Sequence, residues 1–366
     1  MRRSRNTPAY RRQIMIIEYE YTTQGITTHY AVLCELIETD NGRDNGQETA
    51  LGSSIPVRLM RLMGQVSEVI IPEDINGYRV RSIGEYCFAE KCNCKNRTFE
   101  TEWEELGRIA DAEGLHELSG SYIQSVSLPD SVEVLESYAF YNCRKLKRIE
   151  FGKKLNTVNN DAFMNCRGLD ILAVRSDVNE PTGVKYFLKQ LNKGIDLQFI
   201  NGEKNILGSF YYSEYTESYE EIGPAHIFQL DMEGEGYRAR QLFNGGVIDV
   251  SGYDGIFEAA GALESVYTMS HMAIGRLRFP VALSRASADI YRSYLKENIM
   301  DILNWVVREK RLDIVTFLSN ENILGEKGLE MAVKLTAEAG WTAGTAGIIE
   351  LGSSIAGSIK KSRYEF

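Results

Sequence analysis

Near its start the chain lacks an apolar run long enough for a secretion signal or a membrane span. Five Arg residues precede Gln13, but the apolar run that follows is only Ile14–Ile17, and Glu18 and Glu20 come after it. A secretion signal needs about 7–15 apolar residues there, and a spanning helix about 20. We therefore expect no signal peptide and no membrane span. We place the protein in the cytoplasm, with the cell surface as the alternative. Residues 1–13 are predicted to be a flexible basic tail or, in the other interpretation, a contact arm for an acidic partner.

The chain also lacks an excess of positive charge. Its 41 Lys and Arg face 51 Asp and Glu, which gives a formal net charge of −10 over 366 residues. Binding to nucleic acid needs clustered cations against phosphates, so we expect no nucleic-acid partner. The hydrophobic content of 43% and charged content of 25% are ordinary for a globular protein, and the length allows two or three domains.

Motifs for catalysis, metal binding and phosphate binding are missing as well. The four His residues have no recognisable Ser or Cys partner motif, and no Gly-rich stretch has the spacing of a phosphate-binding loop. Cys92 and Cys94 have one residue between them, whereas a zinc site pairs its ligands across about two to four residues. We therefore predict no catalytic residue, no cofactor and no metal. The six Cys residues fit a cytosolic protein that keeps its thiols reduced.

What the sequence does contain is an internal repeat in residues 123–174. Phe140 recurs as Phe163 and Cys143 as Cys166, each at a step of 23 residues (163 − 140, 166 − 143). Apolar residues recur at the same step at Leu146 and Leu169 and at Ile149 and Leu172. A period of roughly 20–29 residues with apolar residues at fixed positions indicates a leucine-rich-repeat solenoid.

Each position of the repeat has a predicted role. A short strand such as Val126–Leu128 stacks on the strand of the next copy, with Leu146 and Ile149 pointing inward. Each Phe lies between neighbouring copies, and each Cys acts as a small buried hydrophobe. One copy cannot bury its own apolar edge, so stacking supplies the core.

These motifs resemble the BspA-type leucine-rich repeat, whose unit reads roughly V-x-L-P-x-x-V-x-x-I-x-x-x-A-F-x-x-C-x-x-L-x-x-I. A weaker copy lies upstream, from Val69, where Cys87 takes the Ala position and Lys91 the Cys position. Bacterial proteins of this type open with a shielding hairpin and join the repeats to a strand-rich middle and a helical tail. The resemblance implies an architecture but no activity.

The resulting fold class is α+β and multi-domain, with an N-terminal repeat solenoid, a small mixed α/β region and a tail of α-helical hairpins. The solenoid is predicted over 14–201, including its hairpin and a C-terminal cap. A Tyr-rich acidic region over 202–283 follows, then ankyrin-like helical hairpins over 284–352 and a frayed tail over 353–366. Ser284 is the predicted N-cap of the first tail helix.

An insert interrupts the repeat. Phe88 and Phe140 are 52 residues apart (140 − 88), which is more than two periods, and about 95–119 carries apolar residues around Trp103 at helical spacing. We predict a helix that projects from the solenoid. Insertions in solenoids often gather on the binding face, so this helix is a candidate contact.

The tyrosines of the acidic region have two interpretations. Four of them lie among acids, at Tyr211, Tyr212, Tyr215 and Tyr219. They either pack against the end of the repeats or form a patch that binds a partner, since Tyr gives large contact area at low entropy cost. Carboxylates are abundant here too, and a run of them is usually a solvated face.

Together these patterns predict a non-enzymatic repeat scaffold that binds another protein. The predicted contacts are the outward residues of the repeat strands and the insert: Trp103, Ser125, Ser127, Lys147, Arg148, Glu150 and Asp170. An enzyme with its active site in 202–283 and the repeats as substrate arm is one alternative, and a cell-surface adhesin is another. Neither the identity of the partner nor the oligomeric state follows from the sequence.

Overall fold

The computed structural model describes residues 13–23, 25–37, 54–91, 97–222 and 226–362. Residues 1–12 of the predicted basic tail over 1–13, the loop around 39–48 and Cys92 with Cys94 lie outside these ranges, as do the last four residues. The chain divides into two compact units. Unit 1 comprises Met1–Asn205 and Gly245–Val247, and unit 2 comprises Ile206–Asn244 and Ile248–Phe366.

Unit 1 opens with three antiparallel strands. They are β1 (Ile14–Thr23), β2 (Ile26–Leu36) and β3 (Ile55–Gly64). The first two form the predicted hairpin, whose turn contains Gly25 at a φ of +80°. Glycine suits this backbone conformation because it has no Cβ to clash. The third strand was not predicted from the sequence.

The rest of unit 1 is built from short strands and two helices. In chain order they are β4 (Glu68–Ile70), β5 (Tyr78–Ile83), α1 (Arg97–Glu113), β6 (His116–Glu117), β7 (Ser125–Ser127), β8 (Val134–Leu135), β9 (Arg148–Gly152), β10 (Thr157–Val158), β11 (Ile171–Arg175), α2 (Val184–Leu188) and β12 (Ile195–Ile200). Helix α2 and strand β12 lie in the last part of 14–201, where the C-terminal cap of the solenoid is predicted.

The repeats build two stacks of parallel strands. One stack, which we call the repeat sheet, has the order β12-β11-β9-β7-β4. The other joins the opening hairpin: β3, β5, β8 and β10 pair in parallel, and β6 pairs with β3. In the repeat sheet Ser125 aligns with Arg148 and Ile149 aligns with Leu172, which is the register of the 23-residue period.

A ladder of Phe rings forms the core between the two stacks. Phe140 stacks on Phe163 at 5.4 Å between ring centroids, and Phe163 stacks on Phe187 at the same distance. Phe88 stacks on Phe140 at 4.8 Å, so the ladder continues across the insert. Leu146, like the rings of the ladder, is buried as predicted.

The Asn before each repeat Cys has a specific conformational role. Asn142 and Asn165 adopt φ values of 63° and 64°, a left-handed conformation that Asn tolerates better than most residues. The Asn165 side-chain amide also donates to the Asn142 Oδ1 at 2.9 Å. The two Cys thiols donate to main-chain carbonyls, Cys143 to Phe88 at 3.1 Å and Cys166 to Phe140 at 3.0 Å.

The inserted helix packs on the opening strands of unit 1, and the prediction that it projects from the solenoid is wrong. Helix α1 covers a cluster on the opening strands that includes Ala31, Leu33 and Met63. Its own Leu106 is fully buried and its Ala110 nearly so. The helical spacing of apolar residues in this insert therefore reflects an amphipathic helix that buries one face on a sheet.

Unit 2 joins the strand-rich region to the helical tail. Its elements are β13 (Ile206–Tyr212), β14 (Thr216–Ile222), β15 (Ile227–Glu233), α3 (Gly236–Ala239), β16 (Phe243–Asn244), β17 (Val247–Ile248, which begins on the last residue of unit 1), α4 (Val250–Gly255), α5 (Phe257–Ala260), α6 (Val266–Arg278), α7 (Arg285–Glu297), α8 (Ile299–Arg308), α9 (Leu312–Asn320), α10 (Gly325–Glu338) and α11 (Thr342–Ser362). These sheets and helices, together with the repeats, fit the predicted α+β class.

Two local features hold the start of the helical part. Ser284 caps α7 as predicted, because its Oγ accepts from the Ser287 N–H at 3.0 Å. Arg276 is fully buried and pairs with Asp254 at 2.7 Å, while the Tyr291 hydroxyl donates to the same carboxylate at 2.7 Å. A buried cation is tolerated only when it is paired in this way. The ankyrin-like character of the helical tail stays a prediction.

Candidate functional site

The outward side chains of the repeat sheet form the candidate interaction surface. Strand residues alternate between faces, so the buried Val126 and Ile149 direct Ser125, Ser127, Arg148 and Glu150 to the opposite side. Neighbouring repeats place these polar residues in matching rows, Ser125 beside Arg148 and Ser127 beside Glu150. Four of the predicted contacts, Ser125, Ser127, Arg148 and Glu150, thus start from the same face of the repeat sheet.

A charged row runs along the edge where the strands begin. Gln124, Lys147, Asp170 and Lys193 recur at the repeat period, and the main-chain N–H of Lys147 donates to the Gln124 carbonyl at 2.8 Å. Asp170 is exposed and pairs with Lys193 at 2.8 Å. Lys147 is exposed too, and no ion pair of its side chain occurs within the ranges that the structure describes.

Arg148 is half-buried and held in place. Its Nη1 donates to the Gln198 Oε1 at 2.9 Å, and the Gln198 amide donates to Asp196 at 2.7 Å. Long side chains lose rotamer entropy when a partner immobilises them, and a side chain that is already oriented loses less. The guanidinium of Arg148 is thus partly preorganised for a contact.

Glu150 is not an outward contact, which corrects the prediction. Its side chain is buried, and its Oε1 lies 2.7 Å from the Arg175 Nη1. The Ser127 hydroxyl lies 3.4 Å from the same oxygen, and Arg175 also reaches Asp130 at 2.8 Å. This network belongs to the fold. Strand alternation predicted the direction of Glu150 correctly but could not show that Arg175 would lie across it.

Trp103 likewise has a structural role. It is half-buried in α1 and packs against the cluster below that helix. The guanidinium of Arg61 lies 5.2 Å from its ring, and Arg61 itself is buried and donates to the Tyr86 carbonyl at 2.7 Å. A cation over an indole ring is stabilising, more so away from water. Sequence reasoning missed Arg61, which lies on a strand that it did not predict.

The tyrosines of the acidic region separate into buried and exposed members. Tyr212 and Tyr215 are buried around Arg240, whose guanidinium lies 5.7 Å and 5.0 Å from their rings. Tyr219, by contrast, is 68% exposed on β14. Packing around the buried Arg240 therefore explains why Tyr212 and Tyr215 are buried. Tyr219 needs a separate account.

Other kinds of site are sparse in the part of the chain that the structure describes. Within it, no group of three or more His, Cys, Asp or Glu is arranged to hold a metal ion. Among the same residues, no helix has both the length and the apolar character needed to cross a membrane. The Cys87 thiol is buried, and Cys92 and Cys94 lie outside the described ranges.

Comparison with known families identifies the repeats. Residues 63–181 and 115–213 match the family described as BspA type Leucine rich repeat region (6 copies). Among curated proteins and among solved structures, nothing matches the chain. The matched residues contain the stacked parallel strands, the Phe ladder and the paired Asn-Cys positions described above. The family match and the geometry together support the leucine-rich-repeat assignment for this part of the chain.

Proposed function

We propose that this protein is a non-enzymatic scaffold that binds another protein through its repeat sheet. The contact surface, which we call the repeat face, consists of Ser125, Lys147, Arg148 and Asp170. Leucine-rich repeats typically serve protein interaction, and residues 63–213 match that family. The observation that carries the proposal is the exposed Lys147, whose side chain has no ion pair with any residue that the structure describes, beside the oriented Arg148.

A stacked sheet suits such a role. Its strands are fixed by neighbours on both sides, so little backbone freedom is lost when a partner binds. Lys147 and Arg148 lie next to one another on the chain, whereas Asp170 is already neutralised by Lys193. The partner would therefore present carboxylates to this face. Charge of this kind adds to the association rate and to specificity.

Two finer statements belong to the same proposal. We place the protein in the cytoplasm, in keeping with the buried, unpaired thiols of Cys143 and Cys166. We also propose ankyrin-like helix pairs in the tail, supported by the short helices α8 and α9 with a turn of three residues between Arg308 and Leu312. Such pairs would extend the scaffold with a second repeat type.

Charge reversal on the repeat face tests the proposal. The partner is first captured from the native host with the full chain and identified by mass spectrometry. The double variant Lys147→Glu with Arg148→Glu should then weaken the measured Kd by tenfold or more, about 1.4 kcal/mol. Its melting temperature should stay near that of the parent, because Lys147 is exposed and Arg148 loses one hydrogen bond.

A matched control separates local from general charge effects. Lys296→Glu with Arg308→Glu changes the net charge equally, and both positions are exposed on helices of unit 2. This control should bind the partner like the parent. If both double variants bind equally well, or if the control weakens binding as much as the repeat-face variant, the repeat face is not the contact surface.

A further inference from the structure

The hairpin of β14 and β15 in unit 2 has no companion strand. Its strands pair over seven residues, from Thr216 with Glu233 to Ile222 with Ile227. Among the described residues they form a sheet of two, with no third strand on either edge. A two-stranded hairpin by itself is marginally stable in water. Each outer edge also carries main-chain N–H and C=O groups that can pair with another chain.

The base of this hairpin is firmly held. Arg240, which is buried, donates from its Nη1 to the Ser213 carbonyl and to the Gly236 carbonyl, both at 2.7 Å. Its guanidinium also lies 5.0 Å from the ring of Tyr215, which is buried just before β14 begins. The two ends of the hairpin are therefore held in place by the buried Arg240.

One face of the hairpin exposes apolar side chains. Tyr219 and Leu230 are directly opposite each other, so they share a face, and they are 68% and 44% exposed. Met232 lies two residues along β15 and is on the same face by register, opposite Glu217. An exposed aromatic and aliphatic pair of this kind is enriched in protein interfaces.

The charge of the hairpin selects its partner. Residues 216–233 contain five acids, Glu217, Glu220, Glu221, Asp231 and Glu233, and no Lys or Arg. A second copy of the same hairpin would bring five negative charges against five, and like charges across an interface are costly. The same acids guard the open edges against self-association. A complementary partner must therefore be basic.

We propose that the hairpin Thr216–Glu233 is a docking arm that takes up an extended basic segment of a partner protein as an added strand. Main-chain hydrogen bonds along one open edge supply affinity, as in other strand additions. Apolar residues of the segment pack on Tyr219 and Leu230, and its Lys or Arg residues pair with the acids of the hairpin. This site lies in unit 2 and does not depend on the repeat face.

Peptide binding to the full chain tests the proposal. The probe is a fluorescent peptide of alternating Lys and Val, and its binding is followed by anisotropy at low salt. We expect saturable binding that is at least tenfold weaker for an alternating Glu and Val peptide. Methylation of alternate backbone nitrogens of the Lys and Val peptide should also weaken binding at least tenfold, because it removes donors from one edge.

Variants of the protein locate the site. Tyr219→Ser with Leu230→Ser should weaken peptide binding at least tenfold, whereas Ile349→Ser, at a residue 53% exposed on α11, should leave it unchanged. Lys147→Glu with Arg148→Glu should leave it unchanged too, which separates this site from the repeat face. Equal binding of the methylated peptide, or of the Tyr219 and Leu230 variant, would overturn the proposal. So would a dimer in sedimentation that this variant abolishes.

Discussion

Arg175 reaches across the repeat sheet to Glu150, and the two side chains form an ion pair at 2.7 Å in which Glu150 is buried and Arg175 is 17% exposed. Arg175 aligns with Gly152, so its guanidinium turns back along the neighbouring strand by two residues to meet the carboxylate. The small size of Gly152 leaves room for this, since even a Cβ there would lie 2.3 Å from the Asp130 Oδ1. The pair ties three repeats together through Asp130, Glu150 and Arg175.

We predict that Glu150→Ala destabilises the protein by about 1–3 kcal/mol. The substitution removes the charged acceptor of the partly buried Arg175, and a hydrogen bond to a charged group contributes about 1.5–3 kcal/mol. Urea denaturation gives the free energy of unfolding. The control Glu104→Ala removes an exposed ion pair with Arg108, and it should cost less than about 1 kcal/mol. Equal losses of stability for the two substitutions would show that the pair of Glu150 and Arg175 stabilises the fold no more than an exposed ion pair does.

The Phe ladder yields a second prediction. Phe140→Ala should cost roughly 3–5 kcal/mol, because Phe140 is fully buried and contacts rings on both sides. Phe163→Ala should cost a similar amount for the same reason. Met164→Ala, at a residue 45% exposed, is the matched control and should melt near the parent. A Phe140→Ala variant that melts within a degree or two of the parent would contradict the ladder.

The thiols of Cys143 and Cys166 should react only after unfolding. Both are buried and form no disulfide, and burial raises the pKa of Cys143 well above its ordinary value. A thiol reacts as its thiolate, so a buried thiol of raised pKa is inert. Alkylation followed by mass spectrometry should label both residues only in denaturant, whereas Met164→Cys should be labelled in the folded protein. A disulfide between Cys143 and Cys166 in native protein would refute this prediction.

His271 should make the stability of unit 2 depend on pH. Its ring lies between those of Tyr267 and Trp305, at 4.1 Å and 4.5 Å, and its Nδ1 lies 2.9 Å from the Tyr267 carbonyl. Burial, aided by the positive charge of Arg311, lowers the pKa of His271 from 6.5 to about 4.

The direction of this pH dependence follows from the linkage between protonation of His271 and unfolding. Between pH 6.5 and about 4 the unfolded chain carries a proton on His271 and the folded chain does not. The stabilisation that the neutral His271 gives the folded state is therefore complete above pH 6.5. As the pH falls below 6.5, the free energy of unfolding decreases by about 1.4 kcal/mol per pH unit at most. His271→Phe should remove this part of the pH dependence in urea titrations followed by Trp fluorescence. If the free energy of unfolding falls with pH in the same way for the parent and the variant, His271 is not held neutral in the folded protein.

The sequence by itself determined the local pattern of the repeats. The 23-residue period predicted which residues lie inside, because stacked copies must bury the same positions. Phe140, Phe163 and Leu146 are buried accordingly, and Ser284 caps the helix that it was predicted to begin. These features depend on residues close together in the chain or related by the period, and such relations can be read from a sequence.

The tertiary structure alone decided which polar side chains remain available. Strand alternation directs Glu150 outward, yet Arg175 lies across it from a neighbouring strand. Helical spacing predicts α1, yet only the opening strands show that its apolar face is covered. Tyr215 and Tyr219 lie in the same acidic, Tyr-rich stretch of the sequence. Tyr215 is buried against Arg240, whereas Tyr219 is exposed on the hairpin. Each outcome depends on a partner distant in sequence, because long side chains and packed faces meet residues that no local pattern identifies.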